Sequence, residues 1–314
     1  MKKCLRGLAG LMCLAVMLYA GQASAQTDLS GAWAPYDSPN FLHQAIGPFP
    51  MDFTGIPLNQ EGRAAAAAAS ADEREELQRQ CAPWLPWYTV EGPFGVQFRP
   101  ITDPISGYVV AWYIAGILDR MPMTIWMDHR APPPPLALHT YGGFTTGEWR
   151  GDTLVTTTTH LNDGTLTRNG APSSNQATFT MFITRHENLL TITGVVHDPV
   201  YLDGPYIRPR TFKLNPAANQ NEVFVRCSPA EIVEGISDGY HSATHLPGKN
   251  PALLYMQRNY NIPLEAAQGG AQTIYPDYRN KLKSQYTIPA KYCAHNCCAS
   301  PGIRGTVCPV PATP

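Results

Sequence analysis

The stretch Thr145-Thr146-Gly147-Glu148-Trp149-Arg150-Gly151-Asp152-Thr153-Leu154-Val155-Thr156-Thr157-Thr158-Thr159 reads as a β-hairpin. Threonine, valine and tryptophan on its flanks suit a pleated, half-buried surface. Between the flanks, Arg150-Gly151-Asp152 supplies the turn, because glycine and aspartate tolerate the backbone angles of a tight hairpin loop. The same three residues spell an integrin-binding tripeptide. They stand where a hairpin needs Gly-Asp, and that need accounts for them.

Outward from the hairpin, strands are expected at Val109–Ile114, Met123–Met127, Ala177–Ile183, Leu189–His197 and Glu222–Arg226. Asn188 suits the turn between two of them. Pro132–Pro135 interrupt the series and predict a rigid, extended connector. The 30 prolines and 26 glycines, with many threonines, point to strands joined by tight turns rather than to long helices. One helix is expected, from Leu58 to Gln80. Six consecutive alanines and the acidic run Asp72–Leu77 favour it, and Pro83 and Pro86 end it.

Asp28-Leu29-Ser30-Gly31-Ala32-Trp33 opens the chain beyond its leader. A Gly-x-Trp on the first strand is how many lipocalin-like barrels begin. There the indole closes the barrel base and the glycine permits close packing. The expected fold is therefore mainly β: an antiparallel, lipocalin-like (calycin-type) β-barrel with one N-terminal helix and an extended C-terminal arm. The expected organisation is a signal peptide at 1–25, an N-terminal strand and helix region at 26–92, a barrel core at 93–228 and a cysteine-containing arm at 229–314.

Lys2, Lys3 and Arg6, the apolar run Leu8–Ala20 and the small residues Ala23-Ser24-Ala25 have the three parts of a secretory signal. Cleavage is expected after Ala25, which makes Gln26 the mature N-terminus and the protein periplasmic or secreted. Met12 stands before Cys13 where a lipid-attachment site requires a small residue. No later stretch is apolar enough to span a bilayer. The net charge of -1, with no basic patch, argues against a nucleic-acid partner.

Cys4 and Cys13 leave with the signal, and Cys81, Cys227, Cys293, Cys297, Cys298 and Cys308 remain. An even number in an exported chain predicts disulfides. Cys81 is expected to pair with Cys227 and the tail cysteines among themselves, although other connectivities stay open. With His295, the tail has enough donors for zinc, but an oxidising compartment favours disulfides. No metal and no organic cofactor are expected.

Several short matches accompany the hairpin core Gly147–Thr158. They are Ser30-Gly31-Ala32-Trp33, Pro57-Leu58, Glu61-Gly62-Arg63, Cys81, Met127-Asp128 with Arg130, Asn162, Asp198-Pro199 and Cys227. In this set and order the chain resembles a large group of exported bacterial proteins of uncharacterised function, over roughly Asp28 to Cys227. Thr157 stands where that group often has aspartate, His129 where glycine is usual, and Ser173 where histidine often precedes Ser174. The resemblance implies export and a β domain, and it transfers no catalytic residues.

Phosphate-binding loops, serine nucleophile elbows and paired-histidine helix motifs are absent from the sequence. His129, His139, His160 and His197 lie in or beside the β region, close to Asp128, Arg130, Asn162, Asp163 and Asp198. A histidine facing a barrel interior could act as a general base near neutral pH. His160 and His197, with Asp198, are the candidates for that role. Trp84, Trp87, Tyr88, Trp112, Tyr113 and Trp126 cluster between Cys81 and the proline run, and such residues fill cores or line pockets for apolar ligands. The candidate binding set is Trp112, Tyr113, Trp126, Asp128, Arg130, Trp149 and Asn162.

The leading functional expectation is a barrel that binds a small, largely apolar or aromatic molecule. A cofactor-independent isomerase, lyase or hydrolase is one alternative. An interaction protein that reaches a partner, or a second copy of itself, through the C-terminal arm is the other.

Overall fold

The computed structural model describes residues 27–36, 51–69, 82–92, 95–116, 122–167, 169–217 and 245–283. The signal segment and its cleavage site, all eight cysteines, the expected strand Glu222–Arg226 and the expected helix beyond residue 69 lie outside these residues. No described helix is long and apolar enough to cross a membrane.

The strands in chain order are β1 (Gly31–Pro35), β2 (Val96–Thr102), β3 (Val109–Ala115), β4 (Met123–Trp126), β5 (Phe144–Arg150), β6 (Thr153–Thr159), β7 (Gly164–Thr165), β8 (Pro172–Ser173), β9 (Thr178–His186), β10 (Leu189–His197) and β11 (Tyr206–Leu214). All but β7 and β8 form a closed barrel in the order β1-β11-β10-β9-β6-β5-β4-β3-β2. The mainly β barrel expected from the sequence is thus present, but it is not wholly antiparallel. An odd ring of nine strands cannot close with every neighbour antiparallel. The parallel seam falls between β4 and β5, where Ile125 pairs with Thr145 and Trp126 with Thr146. A parallel pair needs a long crossover. Residues 127–143, with the four prolines, supply it.

The expected hairpin is β5–β6, with Arg150 opposite Thr153 and Gly151-Asp152 as its two-residue loop. β9 and β10 make a second hairpin, in which His186 opposes Leu189 across Glu187-Asn188. Alternation sets the interior. Leu190, Ile192 and Val196 of β10 and Phe179, Met181 and Ile183 of β9 are buried at every second position. With Trp33, Phe98, Trp112, Ile125, Leu154 and Phe212 they belong to one continuous core.

β1 pairs with β2 on one side and β11 on the other, which closes the ring. Trp33 on β1 is fully buried, and its indole N–H donates to the Leu29 carbonyl at 3.0 Å. The Arg185 guanidinium lies 5.2 Å from the ring and donates to the Asp28 carbonyl. Gly31 has φ +129°, and a Cβ there would stand 2.8 Å from Leu214 Cδ1. The glycine thus admits Leu214, and the indole belongs to the core.

Three expectations need correction. First, α1 spans only Gln60–Ala68 within the expected Leu58–Gln80 helix, and Ala69 is already extended. Asn59 caps its start by accepting from the Gly62 amide at 2.8 Å. At its end, the Asn250 side chain donates to the Ala67 and Ala69 carbonyls, and the His245 amide to Ala68. Those donors serve carbonyls that a continuing helix would bond itself. Second, the described part of the C-terminal arm is not extended. It forms α3 (Tyr255–Tyr260), α4 (Leu264–Ala267), a 3-10 turn (Ala271–Ile274) and α5 (Pro276–Lys283). It packs on residues 51–69, through Phe53 N–H to Ala267 O and Gly55 N–H to Thr273 Oγ1. Third, the barrel is not confined to residues 93–228, because β1 belongs to it. The intervening segment 82–92 contributes α2 (Tyr88–Glu91), packed against β10 and β11.

The two hairpin loops share a backbone feature with unequal residues. Gly151 has φ +65° and Glu187 φ +54°. A side chain in this left-handed region costs roughly 1–2 kcal/mol, which glycine avoids. Gly151→Val should therefore destabilise the protein by about 1–3 kcal/mol. Glu187→Gly should stabilise it by up to about 1 kcal/mol after glycine's own entropic cost. Urea unfolding midpoints that move in the same direction for both variants would contradict this.

Candidate functional site

The barrel interior has two chemically different regions. At the end where β10 finishes and β11 begins, the segment 82–92 enters the sheet. Trp87 packs edge-on against Phe179 at 6.2 Å, and its indole N–H donates to the Thr165 carbonyl at 3.0 Å. Gly164 and Gly194 make room for this plug. A Cβ on Gly164 would stand 2.4 Å from Leu85 Cδ1, and one on Gly194 would stand 2.9 Å from Val90 Cγ2. Trp84 and Tyr88 stack with centroids 4.5 Å apart.

The inward row of β11 fixes the plug. Tyr206, Arg208 and Arg210 alternate with the exposed Ile207 and Pro209, so all three turn to the same face. Tyr206 OH donates to Glu91 Oε1 at 2.7 Å, and Arg208 Nε lies 2.9 Å from the same oxygen. Arg210 donates to the Gly92 carbonyl. Burial pushes the Tyr206 phenol well above the ordinary 10.0, and the Glu91 carboxylate beside it adds to that rise. Sequence reading missed Glu91, Tyr206, Arg208 and Arg210. The period of two in Tyr206-x-Arg208-x-Arg210-x-Phe212 was the available signal, and Pro205 and Pro209 obscured it.

The other region is apolar apart from a few donors and hydroxyls. Trp112 on β3 is 2 % exposed and meets Phe98 edge-on at 6.4 Å. Ile125 is its partner across β4. Trp149 on β5 lies directly opposite Leu154 on β6. It shares the inward face with Thr145 and Gly147, and a Cβ on Gly147 would press on Ile125 and Leu154. Thr145 and Thr158 bond each other at 2.8 Å, and the Thr156 hydroxyl accepts from the Met181 amide at 3.3 Å. The indole N–H groups of Trp112 and Trp149 are buried, and no acceptor among the described residues meets either one.

The remaining sequence candidates are dispersed. Tyr113 and Trp126 alternate with inward residues and face outward, beneath Arg99 at 5.5 Å and Arg130 at 3.5 Å. Arg130 also forks onto Asp128, with Nη2 2.5 Å from Oδ2 and Nε 2.8 Å from Oδ1. Those hydrogen bonds hold the Asp128 carboxyl down at about 2. The Asn162 amide donates to the Thr140 carbonyl at the crossover. His160, at φ +57°, bonds the Thr159 hydroxyl and the Pro134 carbonyl, with its ring 5.3 Å from that of His139. His129, also at positive φ, is exposed.

His197 ends β10 with an exposed, outward side chain. Asp198 is 3 % exposed, and its carboxylate accepts from the Ser174 amide at 2.6 Å, the Ser174 hydroxyl at 2.7 Å and the Val200 amide at 2.9 Å. It organises the turn that leads to β11. His160, His197 and Asp198 are not brought together. Of the binding set, Trp112 and Trp149 alone face the barrel interior.

No family model, curated protein or solved structure matches the chain.

The raised Tyr206 value has a testable sign. Stability from keeping the phenol protonated is complete below the unfolded value near 10.0 and is lost as pH rises toward the folded value. The stability advantage of the wild type over Tyr206→Phe should therefore shrink between about pH 9 and about pH 11. Urea unfolding across this range checks it, and a constant advantage would contradict it.

Proposed function

We propose that the chain is an exported, lipocalin-like barrel that holds a small, largely apolar or aromatic molecule within its sheet. The observation that carries this is the pair of buried indole donors, Trp112 and Trp149, on the inward face with no acceptor among the described residues. Native proteins rarely bury an N–H without a partner, and such a group calls for a bound water or ligand. The flanking side chains are apolar, of the kind that line small-molecule sites: Phe98 and Ile125 beside Trp112, and Leu154 beside Trp149.

The Gly31-x-Trp33 closure adds support for the lipocalin-like type, although the ring has nine strands where lipocalins have eight. Export rests on the leader-like first residues. For the described part of the C-terminal arm, the contacts to residues 51–69 are within the chain, which gives no particular support to a partner-reaching role.

Native mass spectrometry of the protein from the extracytoplasmic fraction of its own host tests both parts. The expected spectrum shows a chain beginning at Gln26 with a small organic molecule that organic solvent releases. An intact Met1 in that fraction would overturn cleavage after Ala25, and absence of the chain from the fraction would overturn export. A bare chain that also leaves the emission of the neutral fluorophore N-phenyl-1-naphthylamine unchanged would overturn binding.

A further inference from the structure

We infer that the molecule held in the barrel is uncharged and presents a hydrogen-bond acceptor, such as a ketone or quinone oxygen on a flat apolar frame, to the indole N–H of Trp112. The inference rests on the binding function proposed above and narrows it to a ligand class.

Three observations carry it. An indole N–H can only donate. Trp112 is 98 % buried by its 2 % exposure, so bulk water does not serve its N–H, and no described residue accepts from it. Trp149 repeats the arrangement two strands away, on the far side of β4. A buried indole donor with no described acceptor is a group that a pure hydrocarbon would leave unsatisfied.

Charge is disfavoured for a separate reason. A carboxylate could accept from the Trp112 indole, but burying it beside Phe98 and Ile125 without a cation costs far more than one hydrogen bond returns. The interior cation Arg208 is committed elsewhere, to Glu91. Arg210 is bonded to the Gly92 carbonyl of the plug. A neutral oxygen satisfies the donors without that penalty. A site built to hydrogen-bond its ligand rejects the analogue that lacks the acceptor, because the protein group is then left unpaired.

A matched set of rigid tricyclic probes tests the inference with the full mature chain. Fluorene is a hydrocarbon, 9-fluorenone adds one carbonyl to the same frame, and fluorene-9-carboxylate adds a charge. Calorimetric titration should show fluorenone binding about 3- to 10-fold tighter than fluorene, the worth of one buried hydrogen bond, and the carboxylate binding weakest. Trp112→Phe keeps an aromatic ring and removes the donor, so it should bring fluorenone and fluorene to equal affinity. If that variant misfolds, the wild-type indole N–H resonance of Trp112 gives the same answer. It should lie further downfield with fluorenone than with fluorene, because the two share a frame and only the ketone accepts a hydrogen bond. Equal affinities in the wild type, or a carboxylate that binds tightest, would overturn the acceptor inference and leave the binding function standing. Failure of all three probes to bind would count against both.

Discussion

Closure of the sheet by β1 is the constraint on which the rest of the structure depends. This five-residue strand bonds β2 on one side and β11 on the other, and without it the sheet would have two open edges. Gly31 lets it approach Leu214, and Trp33 fills the space behind it. Closure with nine strands then imposes a parallel seam, and the seam imposes a long return from β4 to β5. Four consecutive prolines make that return stiff, since each fixes its own φ and restricts the residue before it.

The plug is the second consequence. A closed ring of this size needs side chains or a segment to fill its interior. Here the N-terminal region between β1 and β2 supplies one. Trp87, Val90 and Glu91 enter where Gly164 and Gly194 leave room, and β11 turns a tyrosine and two arginines toward them. The charged groups of the interior are thereby gathered at one end and paired there. The region of Trp112 and Trp149 is left with indole donors, threonine hydroxyls and hydrocarbon, and the proposed ligand class rests on that asymmetry.

Much of the barrel was legible in the sequence. The β5–β6 hairpin follows from Gly151-Asp152, and β3, β4, β9 and β10 from runs of β-branched and aromatic residues. The Gly-x-Trp gave the role of β1. β11 was hidden because Pro209 interrupts its pattern, yet β1 pairs only Phe212–Leu214, so Pro209 lies where β11 is an edge that tolerates proline. The break at Ala69 was not legible because alanine favours a helix anywhere, whereas that end is set by His245 and Asn250, far along the chain. The site divided similarly. Trp112 and Trp149 were candidates on residue type and strand position, and alternation turns both to the interior. Position after a long strand and chemistry favoured His197 and Asp198, but alternation turns His197 to solvent and the turn beyond β10 consumes Asp198. The plug's partners on β11 could not be paired with Glu91 before the register was known.

The most direct test of this account is native-state hydrogen exchange in the plug. The amides of Tyr88 through Gly92 all donate within the segment, and its side chains are held by β11. A plug built into the closed barrel predicts that these amides exchange only with global unfolding, at the rate of Leu190–Val196 in β10. Exchange of Tyr88–Gly92 through a separate, faster opening, while β10 stays protected, would contradict it.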